Sequence, residues 1–170
     1  MANLFQFLDG IMGVGEGAPI VLDCDDQDLL INKVQLKAFG RNEVEQTYRI
    51  PLGNILDLGI VGKNEIVAKN KSAVGRGMAG GLLFGPAGLF LGGLSGTGQK
   101  SKNTIKSLLV ISYMSQSNPE EPQSIVMDAD HHNWYLSNSK YIHKLRKAWK
   151  QVQPSALVLA YKNPDGSITL

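Results

Sequence analysis

Residues 47–61 read TYRIPLGNILDLGIV, and the prediction of the fold class rests on this stretch. Apolar and polar side chains alternate from residue 47 to residue 52, and a second apolar run covers residues 55–61. Alternation with a period of two is typical of strands, because successive side chains of a strand point to opposite faces of a sheet. The stretch therefore predicts two consecutive strands.

Similar short runs occur on both sides of this stretch, separated by turns rich in Gly, Pro, Asn and Asp. An acidic turn at residues 23–28 interrupts the upstream runs, and a polar loop at residues 115–123 interrupts the downstream runs. This spacing of short runs favours an antiparallel all-β domain. The predicted strands are residues 19–23, 30–38, 47–52, 55–61, 65–69, 105–114 and 124–129.

Two helices and a terminal hairpin complete the prediction. Residues 138–152 place apolar side chains at intervals of three and four, with basic side chains on the opposite face and caps from residues 137–139. Residues 4–12 show helical spacing before a glycine hinge, and residues 156–170 predict a hairpin. We therefore divide the chain into an N-terminal helix and hinge (1–17), a β domain (18–152) and a hairpin tail (153–170).

Glycine is concentrated in one segment, because ten of the 19 glycines lie between residues 75 and 98. Glycines recur every fourth residue on both sides of Pro86, and no charged residue lies between Arg76 and Lys100. On a helix this spacing makes a flat strip that another backbone can approach closely. We predict a helical hairpin over residues 73–99, with strips formed by Gly77, Gly81, Gly85, Gly88, Gly92 and Gly96.

Three interpretations of this hairpin stay open. It packs against its own domain or a second copy, it inserts into a membrane, or it is a mobile loop. Each arm is too short to span the hydrocarbon layer of about 30 Å alone, so membrane insertion predicts a re-entrant hairpin. The apolar contacts would come from Leu82, Leu83, Phe84, Leu89, Phe90 and Leu91, and the basic flank from Arg76, Lys100 and Lys102.

The order of seven short strands followed by one helix with a Trp resembles the pleckstrin-homology (PH)-like barrel. The sequence YRIPLGNILD at residues 48–57 is similar to the third-strand signature of bacterial PH-like and GRAM-like domains. SAVGRG at 72–77, GGLLFGPAG at 80–88 and LVISY at 109–113 resemble small bacterial proteins with a glycine-zipper insertion.

This resemblance implies a mainly β fold. We expect a partly open seven-stranded antiparallel barrel, with the glycine-rich hairpin inserted before the sixth strand. The C-terminal helix is expected to cap one open end with Ile142, Leu145 and Trp149. PH-like domains bind lipids, peptides or proteins, and the fold alone does not choose among these.

One departure from lipid-binding PH domains concerns the loop between the first two predicted strands. Phosphoinositide-binding members place Lys and Arg there, because clustered cations hold phosphate oxygens. Here the loop contains Asp23, Asp25, Asp26 and Asp28. Four carboxylates would repel a phosphoinositide headgroup, so we do not expect that lipid pocket.

Catalytic chemistry has little support in the sequence. Asp128, Asp130, His131 and His132 resemble a metal cluster by residue type, but adjacent histidines on an extended chain point to opposite sides. Cys24 lies among carboxylates, which raise the pKa of a thiol and make it less reactive. No Gly-Lys-Ser or Gly-Lys-Thr closes a phosphate loop. We therefore expect no enzyme, no metal and no cofactor.

The sequence favours a binding or scaffolding module whose glycine-rich hairpin mediates self-association or partner docking. The alternative is a peripheral membrane protein that inserts the hairpin into an anionic bilayer, since residues 63–112 carry seven basic side chains and one acidic. With a net charge of +2 we expect no nucleic acid, and we expect no small-molecule substrate. The single cysteine and the absence of an N-terminal signal pattern favour the cytoplasm or the inner membrane face.

Overall fold

The computed structural model describes residues 4–38, 41–62, 107–129 and 135–161. Seven strands precede two helices, and a 3₁₀ helix at Leu52–Asn54 joins the fourth strand to the fifth. The predicted strand at residues 65–69 and the end of the predicted tail at residues 162–170 lie outside this range. The elements are β1 Leu4–Asp9, β2 Pro19–Cys24, β3 Asp28–Gln35, β4 Glu43–Pro51, β5 Ile55–Gly62, β6 Ser107–Tyr113, β7 Gln123–Asp128, α1 Tyr135–Gln151 and α2 Ala156–Tyr161.

The strands form one antiparallel sheet in the order β4-β3-β2-β1-β7-β6-β5. Consecutive strands pair within β1–β4 and within β5–β7, and β1 also pairs with β7 and so joins these two groups. β4 and β5 are the two edges, and in the described part of the chain they do not pair, so the sheet is not closed. The prediction of a mainly β fold with seven antiparallel strands is confirmed.

The N-terminal helix predicted for residues 4–12 is wrong, because Leu4–Asp9 forms the central strand β1. Phe5 and Phe7 alternate along it and are 1% and 2% exposed. Helical spacing and strand alternation both fit so short an apolar run, and pairing with β2 and β7 decides between them. The β domain therefore begins at β1 and not at residue 18.

The turn after β1 depends on glycine. Gly10 has a φ of +107°, and a Cβ built there would lie 2.0 Å from the backbone oxygen of Ser124 in β7. Only a residue without a side chain fits this backbone angle at this distance. Beyond the turn, the Gly17 amide donates to the carbonyl of Phe7 at 2.8 Å, which returns the chain alongside β1.

The helix predicted near the C-terminus is confirmed as α1, and it covers the main core. Ile142 and Leu145 are 2% and 0% exposed, and Trp149 packs partly buried against the same cluster. The Trp149 indole Nε1 donates to the carbonyl oxygen of Ile55 at 3.2 Å and so joins the helix to the start of β5. These three residues cap the sheet as expected from the helical spacing.

The start of α1 differs from the prediction, because residues 137–139 lie inside the helix and not at its cap. Asn138 is 1% exposed, and its amide Nδ2 donates to the carbonyls of Leu4 at 3.1 Å and Ala129 at 3.4 Å. This one side chain thereby joins α1 to the beginning of β1 and to the residue after β7.

The first arm of the predicted tail hairpin is also wrong, because Ala156–Tyr161 is helical. Val158 is 1% exposed and packs with Leu56 and Met114 in a second, smaller core. The Ser155 hydroxyl oxygen accepts a hydrogen bond from the Val158 amide at 3.4 Å, which is the arrangement of a helix N-cap. Burial of one face of this segment thus favours a turn of helix over an exposed strand.

Candidate interaction surfaces

The glycine-rich segment leaves and re-enters the sheet at one point. β5 ends at Gly62, β6 begins at Ser107, and these two residues are register partners in the antiparallel pair. Directly opposed Cα atoms in such a pair lie about 4.5–5.5 Å apart. Residues 63–106 therefore connect two adjacent strands, and the two residues that flank them lie side by side.

All fifteen residues predicted to mediate interaction lie outside the described residues, so their roles stay predictions. In the chain they all lie between β5 and β6. They are Arg76, Gly77, Gly81, Leu82, Leu83, Phe84, Gly85, Gly88, Leu89, Phe90, Leu91, Gly92, Gly96, Lys100 and Lys102.

The acidic turn does not lie in the loop assumed from the sequence. It connects β2 to β3, because β1 precedes the first strand that was predicted. The carboxylate Oδ1 of Asp25 accepts the amides of Gln27 at 2.9 Å and Asp28 at 2.7 Å, and these bonds lower the pKa of Asp25. The loop between the first two strands is instead residues 10–18, which contain Glu16 and no Lys or Arg. This loop also lacks the clustered cations of a phosphoinositide pocket.

Cys24 sits at the end of β2 in a partly buried position. Burial raises the pKa of its thiol, the neighbouring Asp23 carboxylate raises it further, and the Lys144 ammonium of α1 acts in the opposite direction. The direction agrees with the sequence argument, although burial is the larger cause. A thiol with a raised pKa is a weak nucleophile near neutral pH.

Tyr141 of α1 lies close to the same end of β2. Burial raises the pKa of its hydroxyl, with smaller contributions from Cys24 and Asp23. Within the described residues the buried Tyr141 Oη has no hydrogen-bond partner. The Asp23 carboxylate is near enough to affect the pKa of this hydroxyl but forms no hydrogen bond with it.

The described ranges contain neither a cluster of potential metal ligands nor a helix suited to cross a membrane. Across residues 4–38, 41–62, 107–129 and 135–161, no three His, Cys, Asp or Glu side chains lie close enough together to hold a metal ion. Asp128 is 7% exposed at the end of β7, whereas Asp130, His131 and His132 fall outside the described chain. None of the described helices combines the length and apolar composition that crossing a membrane requires.

A cleft of about 250 Å³ lies between the 3₁₀ helix, the end of α1 and the start of α2. Its walls include Leu52, Ile55, Trp149 and Val158, with Lys150 and Gln153 at its border. A cleft of this size is below the range of about 300–1,000 Å³ in which drug-sized ligands usually bind. Its shape gives no support to a small-molecule substrate.

The outer face of α1 is a surface to which the sequence analysis assigned no role. Every exposed residue of this helix between positions 140 and 150 is basic. The signal was already present in the sequence, because α1 carries five Lys or Arg and no Asp or Glu. The residues are Lys140, His143, Lys144, Arg146, Lys147 and Lys150.

Comparison with models of protein families matches residues 15–127 to a family described as a glycine-zipper-containing PH domain. The match covers more than half of the chain, and it includes β2 to β6, most of β7 and the whole glycine-rich segment. α1 lies beyond it. Searches of curated proteins and of solved structures gave no significant match.

Proposed function

The chain belongs to the family of glycine-zipper-containing PH domains, and from this premise we propose that it is a non-catalytic binding module that associates through its glycine-rich segment. The observation that carries the proposal is the register of Gly62 opposite Ser107. The sheet holds the two residues that flank the segment side by side, which supports a segment that acts as one unit.

The composition of the segment supports packing against another backbone. Glycine strips contribute no side-chain contacts of their own, so their advantage is close approach, and this requires a second helix or strand pressed against them. A second copy of the chain offers the same strip, and equal surfaces related by a two-fold axis are the commonest arrangement in homo-oligomers. We therefore propose self-association, with docking of another protein by the same strips as the related possibility.

The absence of catalysis is part of the proposal. Among the groups described above, the Cys24 thiol has a raised pKa and the Tyr141 hydroxyl neither accepts nor donates a hydrogen bond within the described residues. The cleft beside Trp149 is small, at about 250 Å³. We also propose a reducing compartment such as the cytoplasm, because the only cysteine is a free thiol.

A second candidate function is attachment to an anionic membrane through the same hairpin. It is favoured by the sequence of the insertion, in which an apolar run is bracketed by cations such as Arg76, Lys100 and Lys102. The position of both insertion ends at Gly62 and Ser107 suits a re-entrant hairpin, since a single span would separate β5 from β6.

Self-association is tested by filling both strips at once. We expect Gly81→Leu with Gly92→Leu to weaken association at least tenfold, because each leucine side chain holds the two backbones apart. Sedimentation equilibrium measures the effect. The matched control is Gly80→Leu with Gly93→Leu, which makes the same chemical change beside the strips and should alter association by less than about threefold.

Three results would refute the packing role. One is a wild-type chain that stays monomeric across the concentration range, and another is a strip variant that associates like the wild type. The third is equal weakening in the strip and control variants, which would show a general effect of added leucines.

A further inference from the structure

The exposed side chains of α1 between positions 140 and 150 are all basic. Lys140, His143, Lys147 and Lys150 are spaced at three and four residues, so they form a row along the helix. The opposite face is buried by Ile142 and Leu145, so the helix cannot turn its apolar side toward a partner. Between positions 140 and 150 the helix presents a cationic strip, and no apolar side chain of that stretch is exposed.

None of these cations forms a salt bridge within the described part of the molecule. The salt bridges found there join Lys33 to Glu45, Lys37 to Glu43 and Arg49 to Asp28, all on the sheet. On α1, Arg146 lies over the backbone of Gly59 in β5, and Lys144 is near enough to affect the pKa of Cys24. Lys140, Lys147 and Lys150 form no ion pair with the described residues.

We propose that this outer face of α1 docks onto an anionic phospholipid bilayer by electrostatic attraction, independently of the role of the glycine-rich segment. The attraction needs no headgroup pocket and no insertion of the helix. Each Lys or Arg held near an anionic bilayer raises affinity about fivefold, which corresponds to about 1 kcal/mol. Three or four cations acting together are therefore enough for measurable binding.

Two other anionic partners fit the observations less well. An acidic patch on a second copy would meet these lysines as separate surface ion pairs, and such pairs contribute little each. A nucleic acid would also follow the cations, but residues 1–62 carry nine acidic and four basic side chains, which repel a polyanion that extends over the sheet. A planar bilayer contacts one face only.

Two hydrogen bonds place the beginning of α1 near Ser107. The Ala129 amide donates to the carbonyl of Ser107, where the insertion re-enters the sheet, at 3.1 Å. The carbonyl of Ala129 accepts the Asn138 side chain at 3.4 Å, near the beginning of α1. The first turn of α1 is therefore held near the beginning of β6.

The test is binding of the full chain to vesicles of 30% phosphatidylglycerol and 70% phosphatidylcholine, measured by flotation at low and high salt. We expect Lys140→Gln/Lys147→Gln/Lys150→Gln to bind about 100-fold more weakly than the wild type. Because all three side chains are exposed, the variant should keep the wild-type circular dichroism spectrum and melting temperature. The control is Lys37→Gln/Arg41→Gln/Arg49→Gln, which removes the same charge from the β3–β4 region.

The expected pattern is salt-sensitive wild-type binding, a weak α1 variant and a control within about threefold of the wild type. Equal loss in the control would overturn the proposal, as would wild-type binding to pure phosphatidylcholine or no binding at all. Tighter binding to a duplex RNA than to the vesicles would assign the surface to nucleic acid instead. Full binding by the α1 variant, with loss on changing Leu82, Leu83, Phe84, Leu89, Phe90 and Leu91 to Ser, would assign attachment to the insertion.

Discussion

Replacing Gly10 by Ala is expected to destabilise the protein by roughly 3 kcal/mol or more. The new Cβ would lie 2.0 Å from the Ser124 oxygen and 2.7 Å from the Ile125 Cα, and both are backbone atoms of β7 that cannot rotate away. The φ of +107° adds strain for any L side chain. Strain and overpacking each cost about 1–3 kcal/mol. Urea denaturation of the wild type and the variant measures the difference in free energy of unfolding.

Alanine substitutions at two other glycines of the same turn separate the effect of backbone strain from that of the close contact with β7. Gly13 has a φ of +83° and no atom within 4 Å of an added Cβ, so Gly13→Ala should cost only the strain, about 1–2 kcal/mol. Gly15 also has open space around it and no positive φ, so Gly15→Ala should be nearly neutral. Equal effects at positions 10, 13 and 15 would show that the turn does not approach β7 as described.

Leu145→Ala is expected to cost about 2–5 kcal/mol, because this side chain is 0% exposed in the main core beneath α1. For a chain of this length, a loss of 3 kcal/mol lowers the melting temperature by roughly 10 °C. Thermal unfolding followed by circular dichroism measures the shift. Lys147→Ala, two residues further on the exposed face, should change stability by less than about 0.5 kcal/mol.

A small effect at Leu145 would contradict the capping role of α1. Equal destabilisation by Lys147→Ala would also contradict it, because that side chain lies on the outer face and should contribute no core packing.

Much of the architecture was predictable because the strands follow simple periodicity. The runs at residues 19–23, 55–61 and 124–129 fall in β2, β5 and β7 within a residue or two of their observed limits. The helical spacing of Ile142, Leu145 and Trp149 also gave the correct buried face for α1. In each case the local pattern and the burial in the fold agree.

Two short segments were predicted wrongly because tertiary contacts decide their structure. The run at residues 4–12 fits a helix locally, but it becomes the central strand β1 because β2 and β7 both pair with it. Ala156–Tyr161 fits a strand locally, but burial of Val158 against Leu56 and Met114 favours a helix. Neither contact can be inferred from the residues of the segment itself.

The error at β1 also affected the prediction about the candidate site. Counting strands from β2 placed the acidic residues 23–28 in the first loop, whereas they connect β2 to β3. The predicted place of the glycine-rich segment did not depend on this error, because the downstream strand β6 was recognised, whereas the predicted strand at residues 65–69 on its other side lies outside the described residues. The structure was needed to show which cations of α1 lack an ion pair among the described residues, since pairing of side chains across a fold is not visible in sequence.

The central claim is that residues 63–106 form an insertion between adjacent strands and carry the self-association. Because Gly62 and Ser107 are opposed in the sheet, a two-residue Asn-Gly turn can replace the segment without changing the register. The measurement is sedimentation equilibrium of this shortened chain beside the wild type, with circular dichroism to establish that both are folded. The account predicts a folded monomer at concentrations where the wild type associates, and a shortened chain that associates like the wild type, or that does not fold, would contradict it.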